Sequence, residues 1–161
     1  LVSTAIISAS ILFITSMASI VAFVFTLEQV PLRITESILS ITDNQIAILL
    51  LLNVFLLLLG MFLEPISILI LTMPILLKMS ALIGMEPVHF GAMVVLNVVI
   101  GMATPPVGIQ LFIVAGASGE PLPRIIREAL PLIAICLVVL MLVAFIPALT
   151  LALPNALIPV K

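Results

Sequence analysis

Long apolar stretches, separated by short polar connections, divide the chain into four parts. Residues 1–44 read as a first membrane helix followed by a polar interfacial connection, and residues 120–161 as a polar turn followed by a last membrane helix. Between them lie two apolar regions, 45–84 and 85–119, which are each interrupted near the middle. Because about 20 apolar residues in an α-helix cross the hydrocarbon core of a bilayer, the pattern predicts an all-α polytopic membrane protein.

The region 45–84 is too long for one crossing. Gly60, Glu64 and Pro65 interrupt it, and each arm covers roughly 23 to 28 Å as a helix, against a hydrocarbon core of about 30 Å. Two adjacent short spans or a re-entrant hairpin would both fit these lengths. The interruption contains no polar connector long enough to lie along a membrane surface, so the pattern favours the re-entrant hairpin, with Gly60 at its tip.

The region 85–119 predicts a broken helix. A helix starting near Pro87 ends at about Ile100, the stretch "GMATPPVG" (residues 101–108) interrupts it, and "IQLFIVAGA" resumes it. Neither half is long enough to span a bilayer, which places the break at mid-membrane depth. Irregular backbone persists at that depth only where it faces protein or an aqueous cavity.

The break therefore predicts a site for a small hard cation, made of carbonyl oxygens and the hydroxyl of Thr104. Pro105 and Pro106 remove two N–H donors, while Gly101 and Gly108 allow backbone conformations that other residues resist. The alternative is a proline kink without a ligand. The second interruption, in the region before it, favours the site, because discontinuous segments in transporters tend to come in pairs.

Two asparagines share helix faces with the interruptions. Asn53 lies seven residues before Gly60, and Asn97 lies four residues before Gly101. A buried amide in lipid needs a hydrogen-bonding partner, so both side chains are expected to face the protein interior. Contact between helices and support of the cation site are equally compatible roles.

The amino-acid composition is also typical of a protein that lies in a lipid bilayer. Hydrophobic residues make up 65% of the 161 residues, charged residues 7%, and the mean hydropathy is +1.57. The net charge of −2 argues against nucleic-acid binding, and the single cysteine, Cys136, has no disulfide partner within the chain. The sequence starts at Leu1 inside an apparent membrane segment, so we expect a piece of a larger membrane protein.

The remaining chemistry-bearing residues do not indicate an enzyme. No nucleophile–base pair or metal-ligand cluster is present in the sequence. Glu64 leaves two roles open: proton coupling, since acidic residues within a membrane are usually functional, and a structural role at the hairpin turn. His89, without a second His or a Cys nearby, is expected to cap the helix or lie at the membrane interface.

The residues also carry a family resemblance. The stretches "LLLNVFLLLLGMFLEPISILILTMPILL" and "MEPVHFGAMVVLNVVIGMATPPVGIQLFIVAG" resemble the large membrane subunit of the TRAP (tripartite ATP-independent periplasmic) transporters, and "REALPLIAICLVVLMLVAFIPALTLALP" continues the similarity. The family's large subunit is longer, so this chain is similar to its C-terminal part.

The resemblance implies an elevator-type fold of two inverted repeats, each with a hairpin and a broken helix, of which this chain would be the second. It implies sodium-coupled import of carboxylates, of the C4-dicarboxylate or sialic acid type, across the bacterial inner membrane. The partners would be a periplasmic substrate-binding protein and a small membrane subunit, with Na⁺ as coupling ion and no other cofactor. The residues that match the family's sodium ligands are Gly60, Gly101, Thr104 and Val107, supported by Asn53, Asn97, Pro105, Pro106 and Gly108.

Two other classes of membrane protein stay open from the residues themselves. One is a proton-coupled or channel-type subunit that uses Glu64, and the other is a scaffold in which the breaks only shape helix packing. Groups that bind the substrate, and a second sodium site, would lie largely in the first repeat, so the sequence does not identify the carboxylate.

Overall fold

The computed structural model describes residues 44–157 without a gap. Before them it describes separate positions: 5–6, 8–9, 12–13, 16–17, 20, 23–24, 27–30, 33–34, 37 and 42. The predicted first membrane helix and its polar connection, residues 1–44, therefore lie mostly outside the described residues.

Residues 44–157 fold into six α-helices, in agreement with the predicted all-α class. Of these, α1 and α5 are long and apolar enough to cross a membrane, while α3, α4 and α6 are shorter apolar helices. Their bounds are α1 Gln45–Phe62, α2 Pro65–Leu82, α3 Pro87–Met102, α4 Ile109–Ser118, α5 Leu122–Phe145 and α6 Ala148–Leu157.

The first three helices begin where the sequence supplies start signals. The side-chain oxygen of Asn44 accepts hydrogen bonds from the backbone N–H groups of Ile46 (3.0 Å) and Ala47 (3.4 Å), which caps α1. Pro65 opens α2 and Pro87 opens α3, since proline fits a first helical turn, where its missing N–H is not needed. The predicted start of the broken helix near Pro87 is confirmed.

Helix α3 lies at the centre and contacts α1, α2, α5 and α6. Its contact with α1 is the most extensive, whereas α1 and α2 contact each other little although only Leu63 and Glu64 separate them. Both arms of the predicted hairpin therefore pack against the broken helix more than against each other. Side chains almost fully buried in this core include Leu52, Leu56, Leu63, Ile68, Met79, Phe90, Met93, Val94 and Val98.

Helix α5 presents a mostly exposed apolar surface. Leu132, Ile135 and Val138 are each more than 60% exposed, although all three are large hydrophobic residues. An apolar face of this extent is unusual on a water-soluble domain and fits contact with lipid or with other membrane helices.

The C-terminal part differs from the prediction in two places. The stretch 120–128, expected as an interfacial turn, forms the first two turns of α5 from Leu122 onward, and Arg124 forms an ion pair of 2.9 Å with Glu120. The last membrane helix, which the sequence predicts as one continuous helix over about 129–153, is interrupted at Ile146. Pro147 causes this break, because a proline disfavours helical geometry in the residue before it, and Ile146 has ψ 89°.

Candidate functional site

The break between α3 and α4 follows from the two prolines. A continued helix would direct the N–H of residue 105 at the Gly101 carbonyl and that of residue 106 at the Met102 carbonyl, but Pro105 and Pro106 have no N–H. The chain instead forms a tight turn, in which the Thr104 N–H donates to the Gly101 carbonyl at 2.8 Å. The Thr104 hydroxyl donates to the Ile100 carbonyl at 2.7 Å and keeps its lone pairs.

Gly108 ends this turn and precedes α4. Its φ is +52°, in the left-handed region that glycine adopts without a steric penalty. A Cβ at this position would lie 2.8 Å from Cδ1 of Leu111 and 3.1 Å from the carbonyl oxygen of Thr104. Both the backbone conformation and the space therefore favour glycine where α4 begins.

Gly60 and Gly101 bring α1 and α3 into backbone contact beside the break. A Cβ on Gly60 would lie 3.0 Å from the Cα of Gly101, and 2.7 Å from the carbonyl oxygen of Val98. The Gly60 carbonyl belongs to the last turn of α1, where the helix supplies no N–H donors of its own. The crossing thus places the Gly60 carbonyl, at the end of α1, next to the end of α3 that the prolines interrupt.

The two asparagines meet one turn before Gly101 along α3 and two turns before Gly60 along α1. Asn97 donates from Nδ2 to the backbone carbonyl (2.9 Å) and the side-chain oxygen (2.7 Å) of Asn53, and both residues are buried. Nδ2 of Asn53 donates to the Leu49 carbonyl at 2.8 Å and lies 3.5 Å from Sδ of Met93. The expectation that both amides face the interior is confirmed. The contact between Asn53 and the sulfur of Met93 could not be predicted from the sequence, because nothing in the pattern around Met93 indicates it.

The predicted ligand residues are brought together in part. Gly60 and Gly101 are in contact, and Thr104 and Val107 lie half-buried on the turn that follows Gly101. Gly60 is not in the connection between α1 and α2, where the predicted hairpin would have its tip, because α1 continues to Phe62 and the connection is the pair Leu63–Glu64. Across the described part of the chain, no three His, Cys, Asp or Glu residues lie close enough to hold a metal ion.

The two remaining candidate residues have structural partners. Glu64 is exposed at the tip, precedes α2, and accepts a hydrogen bond of 2.9 Å from the Ser67 hydroxyl. A position of His89 at the membrane interface stays a prediction, but the expected capping role is wrong, because the side chain of His89 bonds to another helix. His89 is 1% exposed, and its Nδ1 lies 2.6 Å from the hydroxyl of Thr150 in α6.

The chain matches a known protein family over most of its length. A family model described as "Tripartite ATP-independent periplasmic transporter, DctM component" matches residues 1–149. The chain is 39% identical over 141 residues to the isethionate TRAP transporter permease protein DctMQ of Oleidesulfovibrio alaskensis, covering 88% of this chain and 22% of that protein.

Two further relatives are similar over nearly the whole chain. Identity is 38% over 145 residues to the C4-dicarboxylate TRAP transporter large permease protein DctM of Pseudomonas aeruginosa (90% of this chain, 34% of that protein). It is 38% over 153 residues to the sialic acid TRAP transporter large permease protein SiaM of Vibrio cholerae (95% and 35%). The matched part is thus about a third or less of each relative's length.

Proposed function

The chain belongs to the DctM component family of the tripartite ATP-independent periplasmic transporters, and from this premise we propose that it forms the C-terminal part of the large permease subunit of a sodium-coupled importer of organic anions. Its relatives are named as transporter permeases, which fits a protein that is not an enzyme. The observation that carries the proposal is the contact of Gly60 with Gly101 beside the proline break.

The proposed ion is sodium, bound between the end of α1 and the break. Carbonyl oxygens of Gly60, Gly101 and Val107, with the carbonyl and hydroxyl of Thr104, are the proposed ligands. Neutral oxygen dipoles replace the water shell of a small cation without burying a compensating negative charge. The carbonyls at the ends of α1 and α3 supply such dipoles, since a carbonyl that accepts one hydrogen bond, as Gly101 does from Thr104, keeps a second lone pair. Pro105, Pro106 and Gly108 hold the turn open.

The proposed coupling between sodium and substrate is thermodynamic linkage between their two binding sites. An ion that holds α1 against the break fixes the wall of an adjacent substrate cavity, so bound sodium and bound substrate each tighten binding of the other. The proposed cycle is an elevator movement in which this chain supplies the second of two inverted repeats, with 45–84 as a re-entrant hairpin. The proposed location is a bacterial inner membrane, crossed several times.

The proposed substrates are small carboxylates of the C4-dicarboxylate or sialic acid type. Relatives are named for C4-dicarboxylates, sialic acid and isethionate, all of which carry an acidic group. The proposed partners are a periplasmic substrate-binding protein and a small membrane subunit.

The test uses the complete transporter that contains this chain, in proteoliposomes with its binding protein. Uptake of labelled succinate and of labelled sialic acid is measured under an inward sodium gradient, an inward potassium gradient, and a proton gradient without sodium. We expect uptake with sodium and none with potassium. Uptake driven by protons in sodium-free buffer would instead support the proton-coupled reading, and a membrane protein without uptake in any condition would support the scaffold reading.

A further inference from the structure

The amide of Asn97 is fixed in one orientation by its neighbours. Asn53 must direct Nδ2 at the Leu49 carbonyl (2.8 Å), so it presents its side-chain oxygen to Asn97. Asn97 in turn donates through Nδ2 to that oxygen and to the Asn53 backbone carbonyl. A reversed Asn97 amide would place its oxygen against these two acceptors, which excludes the alternative assignment.

This arrangement leaves Oδ1 of Asn97 buried and without a hydrogen-bond donor among the described residues. An unpaired buried acceptor lowers stability, and this side chain is 0% exposed. A leucine has the same number of side-chain heavy atoms and carries no oxygen that needs a donor. The two bonds donated by Nδ2 join α3 to α1 at one defined position, which a leucine could not do.

The position of these two bonds along the helices shows what they fix. One Nδ2 bond reaches the backbone of α1 at Asn53, four residues before Leu57, whose carbonyl oxygen would lie 2.7 Å from a Cβ on Gly101. Asn97 is itself four residues before Gly101. The amide contact and the glycine contact thus lie one turn apart on the same faces of α1 and α3, and two such contacts fix both rotation and sliding.

We propose that Asn97 is a positioning residue, which sets where the Gly60 carbonyl lies relative to the break and so sets the affinity of the ion site. The inference rests on the proposed function, since it assumes that a cation binds there. The glycines allow α1 to approach α3, and the Asn97 amide selects one position of α1 along that contact.

The test compares Asn97→Leu with wild type in the complete transporter. Asn97→Leu keeps the branched shape and the number of side-chain heavy atoms, but it removes the donor and so leaves Oδ1 of Asn53 buried and unpaired in place of Oδ1 of Asn97. We therefore expect a modestly lower melting temperature in sodium-free buffer. We expect the sodium concentration for half-maximal uptake to rise roughly fivefold or more, with the maximal rate at saturating sodium largely kept. Stabilisation of the detergent-purified protein by sodium should weaken in parallel.

Asn53→Ala is the graded control. It removes the side-chain oxygen but keeps the backbone carbonyl that Asn97 also bonds, so its shift in sodium dependence should be smaller than that of Asn97→Leu. If Asn97→Leu does not fold, Asn97→Ser replaces it and is expected to show the same direction of shift.

The outcomes separate this inference from the proposed function. Unchanged sodium dependence in a folded Asn97 variant, while wild-type uptake is sodium-dependent, would overturn the positioning role and leave the proposed function standing. Wild-type uptake that is independent of sodium would overturn both. Equal shifts in Asn97→Leu and Asn53→Ala would contradict the role of the backbone bond.

Discussion

Gly60 and Gly101 place the backbones of two helices in direct contact. A Cβ added to Gly101 would lie 2.9 Å from the Cα of Gly60 and 2.7 Å from the carbonyl oxygen of Leu57. All of these neighbours are backbone atoms, which cannot rotate away as a side chain can. Small residues at such crossings are typical of membrane proteins, where association depends on close packing rather than on exclusion of water.

Gly101→Ala should therefore destabilise the complete transporter. We expect a loss of about 1–3 kcal/mol, the range typical of overpacking, measured as a lower melting temperature in detergent. Gly91→Ala is the matched control, because Gly91 lies in the same helix and a Cβ there meets no atom within 4 Å. Alanine favours a helix by about 0.5–1 kcal/mol over glycine, so the control should be neutral or slightly stabilised. Equal melting temperatures for both variants would contradict the contact.

The sequence predicts the bounds of the helices near this crossing better than the structural role of each glycine in them. Pro65, Pro87 and the two prolines of the break mark helix starts and ends by stereochemistry, so the bounds of α1, α2 and α3 follow from local signals. The sequence pattern predicts Gly60 at the tip of a hairpin, whereas Gly60 lies inside α1 and packs against α3. A glycine signals both turns and close packing, and the sequence does not distinguish the two until a partner such as Gly101 is known.

A partner distant in the sequence explains why the expected capping role of His89 is wrong. His89 lies near a helix start, which suggests a cap, yet its partner Thr150 is 61 residues away in α6. A pattern with a period of 3.6 residues shows which face of α3 is buried but not which helix covers it. The burial of Asn53 and Asn97 could be predicted from the sequence, since both amides lie at helical spacing from a glycine and both need hydrogen-bonding partners in lipid.

Gly108→Ala should also lower stability, for two reasons that can be separated. Gly108 and Gly84 both have positive φ, at +52° and +67°, but only the former has close neighbours: a Cβ on Gly84 meets no atom within 4 Å. Gly84→Ala therefore reports backbone strain alone, of order 1 kcal/mol. Gly108→Ala adds the clash with Cδ1 of Leu111, so its melting temperature should fall further.

Shortening the neighbour tests this reading of the clash. Leu111→Ala removes Cδ1, so the extra cost of Gly108→Ala over Gly84→Ala should shrink in that background. An extra cost that is unchanged when Leu111 is truncated would show that this contact is not its source.

The proposed re-entrant hairpin predicts the side from which its tip is reached. Glu64 is exposed at the tip, whereas Met61 and Leu63 are buried, so Glu64→Cys is the suitable labelling position. Gln45→Cys and Leu82→Cys, both exposed and at the outer ends of the two arms, are the references. With a membrane-impermeant maleimide and the cysteine-free background Cys136→Ser, we expect both references to react from one side. Glu64→Cys should not react from the opposite side, and strong labelling from there would indicate two separate spans.

Thr104 offers the most direct test of the proposed ion site. Its hydroxyl donates to the Ile100 carbonyl at 2.7 Å, which fixes the side chain and leaves its lone pairs free for a cation. Thr104→Val keeps the shape and removes this oxygen. Loss of one charge–dipole contact, of about 1.5 kcal/mol, should raise the sodium concentration for half-maximal uptake roughly tenfold.

Thr104→Ser is the control, because it keeps the hydroxyl and its bond to Ile100, and it should change sodium dependence little. Thr104→Val also loses that hydrogen bond, so melting temperatures without sodium are needed to separate packing from ligation. A lower melting temperature together with wild-type sodium dependence would show that the hydroxyl only supports the turn. In that case the break is a kink that shapes helix packing, and the cation must be bound, if at all, by backbone carbonyls alone. A shift in sodium dependence at unchanged stability would place the Thr104 oxygen on the ion.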